Sequence, residues 1–130
     1  MLNQRKYQSL VNHALNSLDI PIGKPNSLHF TFILRRNTIL SVGYNNIRKT
    51  SPVAKKYGYE YGFIHSEFDA IRRFPLSPEH LSDCYLINIR ANKSGQIRNS
   101  EPCRICSTFI LPFNFKGIYY SVSNNEYEKW

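Results

Sequence analysis

Residues 84–90, Cys-Tyr-Leu-Ile-Asn-Ile-Arg, constrain the fold more than any other stretch of the chain. They are apolar with little alternation, the pattern of a strand covered on both faces. A strand covered twice needs a layer on each side of its sheet, and helices are the natural cover. The flanking sequence supplies them. Leu2, Tyr7, Leu10, Val11, Ala14, Leu15 and Leu18 recur at spacings of three and four. That predicts an amphipathic helix over 2–18, ended by Pro21, Gly23 and Pro25. Residues 28–35 alternate instead, with Leu28, Phe30, Phe32 and Leu34 on one side and His29, Thr31, Ile33 and Arg35 on the other. A tight turn at Arg36-Asn37 and a second strand over 38–44 complete a hairpin.

Further along, a helix is expected from about His65, with Phe68, Ile71 and Phe74 facing the core and Pro75 and Pro78 stopping it. Residues 92–100 read as a polar loop. A short helix follows from about Cys103, limited or kinked by Pro112. Residues 118–122 form the last strand, and the polar residues beyond it are expected to fray. Strands separated by helices should run parallel, joined by right-handed crossovers. The expected architecture is α/β: a mixed sheet of four to five strands, an N-terminal hairpin plus parallel strands, with helices on both faces.

At 130 residues the chain reads as a single domain over 1–130, and its 42% apolar content suffices for one core and argues against disorder. No apolar run approaches the about 20 residues of a membrane span. The start, Met-Leu-Asn-Gln-Arg-Lys, has no apolar stretch behind it and does not read as a secretory signal. Three cysteines cannot close a disulfide framework, and two of them stand in a Cys-x-x-Cys pair. A reducing, cytoplasmic setting and a metal or redox role are the expectation.

Charge is distributed unevenly. Residues 1–59 carry nine Lys/Arg against the single acid Asp19, so the whole net charge of +8 lies there. Residues 60–130 balance eight bases with eight acids. A phosphate-bearing ligand or a solvated basic face would each account for the block. Within it, the connection 45–63 is long, polar and basic, and such connections inside a compact domain tend to be functional.

Two short segments carry the chemistry. One is His65-Ser66-Glu67; the other is Pro102-Cys103-Arg104-Ile105-Cys106. Alone, the cysteine pair suits a structural zinc knuckle or two buried thiols, and the His-x-Glu suits a helix start with a satisfied histidine. Together they offer more. Cysteines three apart at a helix start lie on one side, and the helix N-terminus favours thiolates. Two thiolates and an imidazole make a three-ligand zinc set with an open fourth position, as catalytic sites keep. A carboxylate at Glu67 would sit beside that position, suited to taking a proton from water and passing it to a substrate nitrogen. His13, His29 and His80 are isolated in the sequence, and Cys84 falls in the expected buried strand.

The pattern H-x-E followed by P-C-x-x-C resembles the signature of zinc-dependent cytidine and deoxycytidylate deaminases and their nucleic-acid-editing relatives. The resemblance covers roughly residues 28–122 and extends to Gly43-Tyr44-Asn45, which is similar to the family's G-x-N after the second strand. It implies the three-layer cytidine-deaminase-like fold, with Zn2+ held by His65, Cys103 and Cys106 and protons shuttled by Glu67. Asn45 would contact the sugar or base, and backbone groups at Ser66 and Cys103 would border the reacting ring. Ser100 and Glu101, directly before the Pro-Cys, would shape the pocket wall, with solvent exposure an equal reading for Glu101. Lys49, Lys55 and Lys56 lie in the connection leading to His65 and are candidates for a substrate phosphate. The chain departs from the family at Ser66, where Ala is common, and at Pro112, which shortens the second motif helix. Many relatives also add a fifth strand and a helix after the fourth strand.

Two substrate classes stay open: a mononucleotide such as deoxycytidylate, converted to deoxyuridylate, or cytosine or adenine in single-stranded nucleic acid. The second is favoured by the basic block, the first by likeness to small deoxycytidylate-deaminase-like proteins. A zinc-stabilised binding module without activity is the third reading. Tyr119 and Tyr120 read as one core and one surface residue rather than a base-stacking pair, and Phe113 and Phe115 read as core. An open sheet edge and apolar helix faces point to a homo-oligomer.

Overall fold

The computed structural model describes residues 2–17, 27–50, 55–56, 58 and 63–130. The first helix, α1, spans Gln4–Asn16, and the Asn3 side chain caps it by accepting the Lys6 N–H. Its apolar face buries Tyr7, Leu10, Val11 and Ala14. The expected residue Leu18 and the stop at Pro21–Pro25 lie outside the described residues. Strand β1 (Ser27–Arg35) and strand β2 (Thr38–Tyr44) form the hairpin, with Arg36 in the left-handed region at φ 56° to make the turn.

Strand β3 (Asn46–Thr50) pairs antiparallel with β4 (Phe63–Ile64) in a small separate sheet. Then follow α2 (Ser66–Arg72), a 3-10 turn (Pro78–Asp83), β5 (Tyr85–Asn92) and β6 (Ile97–Arg98). Helix α3 (Arg104–Ile110) runs into a 3-10 turn (Leu111–Phe113) at Pro112, and β7 (Gly117–Ser121) and β8 (Tyr127–Lys129) complete the chain.

The main sheet has the order β2-β1-β5-β7-β8, with β6 also against β5. Strand β1 is antiparallel to both β2 and β5, and β5 is parallel to β7. Strands joined through helices, β2 to β5 and β5 to β7, therefore share one direction, as the sequence predicts. Alternation along β1 divides the protein into layers. Leu28, Phe30, Phe32 and Leu34 join Ile87, Ile89 and Tyr119 in the core beneath α1. Ile33 turns to the other face, against Ala70, Leu81 and Cys84. On that face α2 and α3 cover Leu86 and Ile118 with Phe68, Cys106, Phe109 and Ile110. The result is a mixed sheet between helices, and its central strand β5 is buried from both sides.

Several elements differ from the sequence reading. The loop 92–100 contains β6, which continues the edge of β5 beyond the reach of β7. The tail expected to fray forms β8, antiparallel to β7, with the Trp130 N–H donating to the Ile118 carbonyl. That pairing covers Tyr120, whose hydroxyl donates to Glu128, so Tyr119 and Tyr120 are both buried. Cys84 is buried but precedes β5, with its thiol 3.4 Å from the His80 carbonyl. Among the described residues no helix is long and apolar enough to cross a membrane.

Candidate active site

The site is built where α2 touches the hairpin. Gly43 lies so close to α2 that a Cβ there would collide with the Ala70 backbone and the Ser66 carbonyl. This close approach is why a glycine opens the Gly43-Tyr44-Asn45 run. Two further contacts lock the same seam. The Ser41 hydroxyl donates to the Ala70 carbonyl at 2.6 Å, and the Tyr44 N–H donates to the buried Asp69 carboxylate at 2.9 Å. Arg72 and Arg73 complete the neutralisation of Asp69. The pairing of Asn46 with Ile64 then draws Asn45 and His65 toward each other from the two ends of the basic connection.

His65 is the N-cap of α2, and Cys103 is the N-cap of α3. Their position at helix starts frees both side chains from the helical ladder and lets them converge. His65 Nδ1 lies 3.6 Å from Cys106 Sγ and 3.8 Å from Cys103 Sγ, and the three donor atoms all fall within 4.8 Å of one another. The group could hold a metal ion. Cys103 Sγ also accepts the Cys106 N–H at 3.4 Å. Hydrogen bonding from Cys106 and then His65 pushes the Cys103 thiol down to about 3, despite its partial burial. Burial works against a charge on His65, but the Cys103 thiolate and the Glu67 carboxylate overcome it and raise that imidazole above its usual range. Cys103 is thus held toward the deprotonated form that metal binding needs.

Glu67, two residues beyond His65, is buried at 6% exposure. Its Oε2 accepts from Asn88 Nδ2 at 3.0 Å, and its Oε1 accepts from Ser66 Oγ at 3.1 Å. A cleft of about 230 Å³ opens over these groups, bordered by His65, Ser66, Glu67, Ser100 and Cys103. Asn45 and His29 also line it. The Asn45 side chain bridges to the start of β1, accepting the His29 N–H at 2.9 Å and donating to the Ser27 carbonyl. The Ser100 hydroxyl is buried and donates to the Asn88 carbonyl at 2.7 Å, which ties the approach to Pro102 onto β5. Glu101 stands exposed at the rim. Lys49 falls on β3, and its side chain is outside the described residues; Lys55 and Lys56 are exposed.

Sequence reasoning passed over three residues. His29, isolated in the sequence, lines the cleft, and burial, reinforced by Arg90 and His65, pushes its imidazole down to about 4. Thr31 and Asn88 pair across β1 and β5 directly beneath Glu67. The signal was present in the period of β1, which puts His29, Thr31 and Ile33 on one face, and in the lone asparagine of 84–90. What it lacked was the knowledge that this face meets α2.

No protein-family model matches the chain, and no curated protein matches it in sequence. The architecture is that of the cytidine-deaminase-like folds. Its similarity extends to the solved dCMP deaminase of the cyanophage S-TIM5, in apo form, at a TM-score of 0.59. The match covers 93% of this chain and 86% of that one at 16% identity.

Proposed function

We propose that the chain is a zinc-dependent hydrolytic deaminase of a cytosine base, with the mononucleotide deoxycytidylate as its substrate. The convergence of His65, Cys103 and Cys106 beside the buried Glu67 carries the reading. The donor set fits the metal. Zinc bonds of about 2.3 Å to sulfur and about 2.0–2.1 Å to nitrogen, at tetrahedral angles, put N and S about 3.6 Å apart. The pairs here are 3.6 and 3.8 Å. Three protein ligands leave one position open, the arrangement of catalytic sites. Bound there, zinc supplies water activation near neutral pH.

This chain's own residues do the rest. On this reading a flat base would lie in the cleft against Asn45 and His29, with C4 toward His65, Cys103 and Cys106. Water adds at C4 while Glu67 takes its proton and delivers it to N3. Glu67 then takes the proton of the new C4 hydroxyl and passes it to the exocyclic nitrogen, the C4–N bond breaks as the C4 carbonyl forms, and ammonia leaves a uracil ring. His29, held neutral by burial, adds no charge to the cleft. Arg90, next to the cleft through its register with His29 rather than on the cleft lining, is our candidate cation for a 5′-phosphate. It stands opposite His29 in the β1–β5 register, is half-buried, and gives its Nε to Ser27 Oγ. It has no carboxylate partner among the described residues. The fold shared with the cyanophage dCMP deaminase supports the mononucleotide. The basic block of 1–59 favours single-stranded nucleic acid as the second reading.

Ammonia release by zinc-loaded protein, from deoxycytidylate and from cytosine- or adenine-containing single strands, tests both. Glu67→Ala should keep the metal and lose at least about 100-fold in turnover. Turnover of strands alone, falling steeply with salt, would replace the mononucleotide by a polynucleotide. Metal binding with no turnover on any substrate would leave the binding module.

A further inference from the structure

We propose that Asn88, braced by Thr31, is the positioning residue that holds the Glu67 carboxylate in line with the cleft. The proposal rests on the deaminase reading above. Asn88 lies at the middle of β5, in register with Thr31 on β1. Both are buried, in a sheet whose neighbouring positions on β5 are Leu86, Ile87 and Ile89. A polar pair so placed is costly unless every donor and acceptor is matched. Here each is matched. Asn88 Nδ2 donates to Glu67 Oε2 at 3.0 Å, with the Ser100 carbonyl at 3.4 Å as its second acceptor. Thr31 Oγ1 donates to Asn88 Oδ1 at 2.7 Å. The orientation of the amide follows: turned over, Asn88 would set its oxygen against the Glu67 oxygen and its nitrogen toward Ser100 would be lost. The acceptor-only Glu67 carboxylate and Ser100 carbonyl thus fix which end of Asn88 faces Glu67, and Thr31 donates to the other end.

Ser66 closes the circuit. Its hydroxyl touches Thr31 Oγ1 at 2.8 Å and Glu67 Oε1 at 3.1 Å. Thr31 has committed its one hydroxyl proton to Asn88, so the Ser66 proton serves either Glu67 or Thr31. Glu67, Ser66, Thr31 and Asn88 thus form a ring of four side chains in which Asn88 holds Oε2 and the Ser66 hydroxyl can serve Oε1. The hydroxyl rotor of Ser66 can turn without displacing any heavy atom. This gives a reason for serine at position 66 and for an asparagine in the otherwise apolar 84–90 strand. Neither Thr31 nor Asn88 borders the cleft. Their effect must reach the substrate through Glu67, not through binding.

The test is steady-state deamination of deoxycytidylate by the zinc-loaded parent and by Asn88→Ala, Thr31→Val and Thr31→Ser, with metal content measured for each. Thr31→Val is nearly isosteric and preserves the β1 packing. Asn88→Ala and Thr31→Val are expected to lower kcat by about 10- to 100-fold with KM and metal content unchanged. Thr31→Ser is expected to restore kcat to within a few-fold of the parent. A crystal structure of Asn88→Ala is expected to show the Glu67 carboxylate turned away from its place. Parental kcat in both Asn88→Ala and Thr31→Val overturns the proposal alone, as does a loss confined to KM or to metal content. A parent that deaminates nothing removes the deaminase reading and this proposal with it.

Discussion

Replacing Gly43 by Ala places a methyl group where α2 already touches β2. The added Cβ would meet the Ala70 nitrogen and the Ser66 carbonyl and would lie 2.7 Å from Ala70 Cα. Carbon atoms pack favourably from about 3.5 Å outward, so α2 must withdraw by about 1 Å. The obstacles are backbone atoms and cannot rotate away. Overpacking of this kind costs about 1–3 kcal/mol. The Ser41–Ala70 and Tyr44–Asp69 hydrogen bonds cross the same seam and stretch with it. Each contributes about 1 kcal/mol, so a loss of about 3 kcal/mol is expected from a total of about 5–15. The site suffers in parallel. His65 caps α2 and moves with it, and metal–ligand distances tolerate only about ±0.2 Å. Urea unfolding of the apo protein and chelator competition for zinc measure the two effects separately. Stability within about 0.5 kcal/mol of the parent, together with unchanged zinc affinity, would refute the argument that this seam positions the site.

Cys106→Ser should abolish tight zinc binding and remove the gain in melting temperature that zinc confers on the parent, since metal bound to the native state alone stabilises it by mass action; a calorimetric titration and a thermal scan in zinc against chelator decide this. Arg90→Ala should raise KM for deoxycytidylate by about 10-fold or more and leave kcat near the parent value, and an unchanged KM would remove Arg90 from the phosphate. His29 has a folded pKa of about 4, so the unfolded chain binds its proton first as the pH falls. Stability is complete above about pH 6.5 and is lost between there and pH 4, by about 3 kcal/mol at most; His29→Gln should flatten that part of the profile in denaturant melts.

The helix faces and the hairpin were legible because period and burial are local properties. Tyr7, Leu10, Val11 and Ala14 lie in the core that their spacing predicts, and β1 divides its side chains between two layers as its alternation requires. Short strands were not legible. Two or three residues, as in β6 and β8, carry too little period to register, and they exist because a neighbouring strand offers unpaired backbone groups. The fate of Tyr120 follows from the same cause: β8 covers it, and nothing within 118–122 announces β8.

The site divides in the same way. The sequence alone determined the donor types and their order, since two thiols three apart and a histidine followed by a glutamate are chemistry written in the covalent chain. It also determined that both motifs open helices, because Pro102 and the apolar spacing after His65 are local signals. Only the tertiary structure decided that the two helix starts meet, with His65 Nδ1 within 3.8 Å of both sulfurs. It alone set Gly43 against Ala70, brought His29 to the cleft, and joined Thr31, Ser66, Glu67 and Asn88 across three elements. Those contacts depend on which face of one element packs on which face of another, and no local pattern encodes the pairing of surfaces remote in the chain.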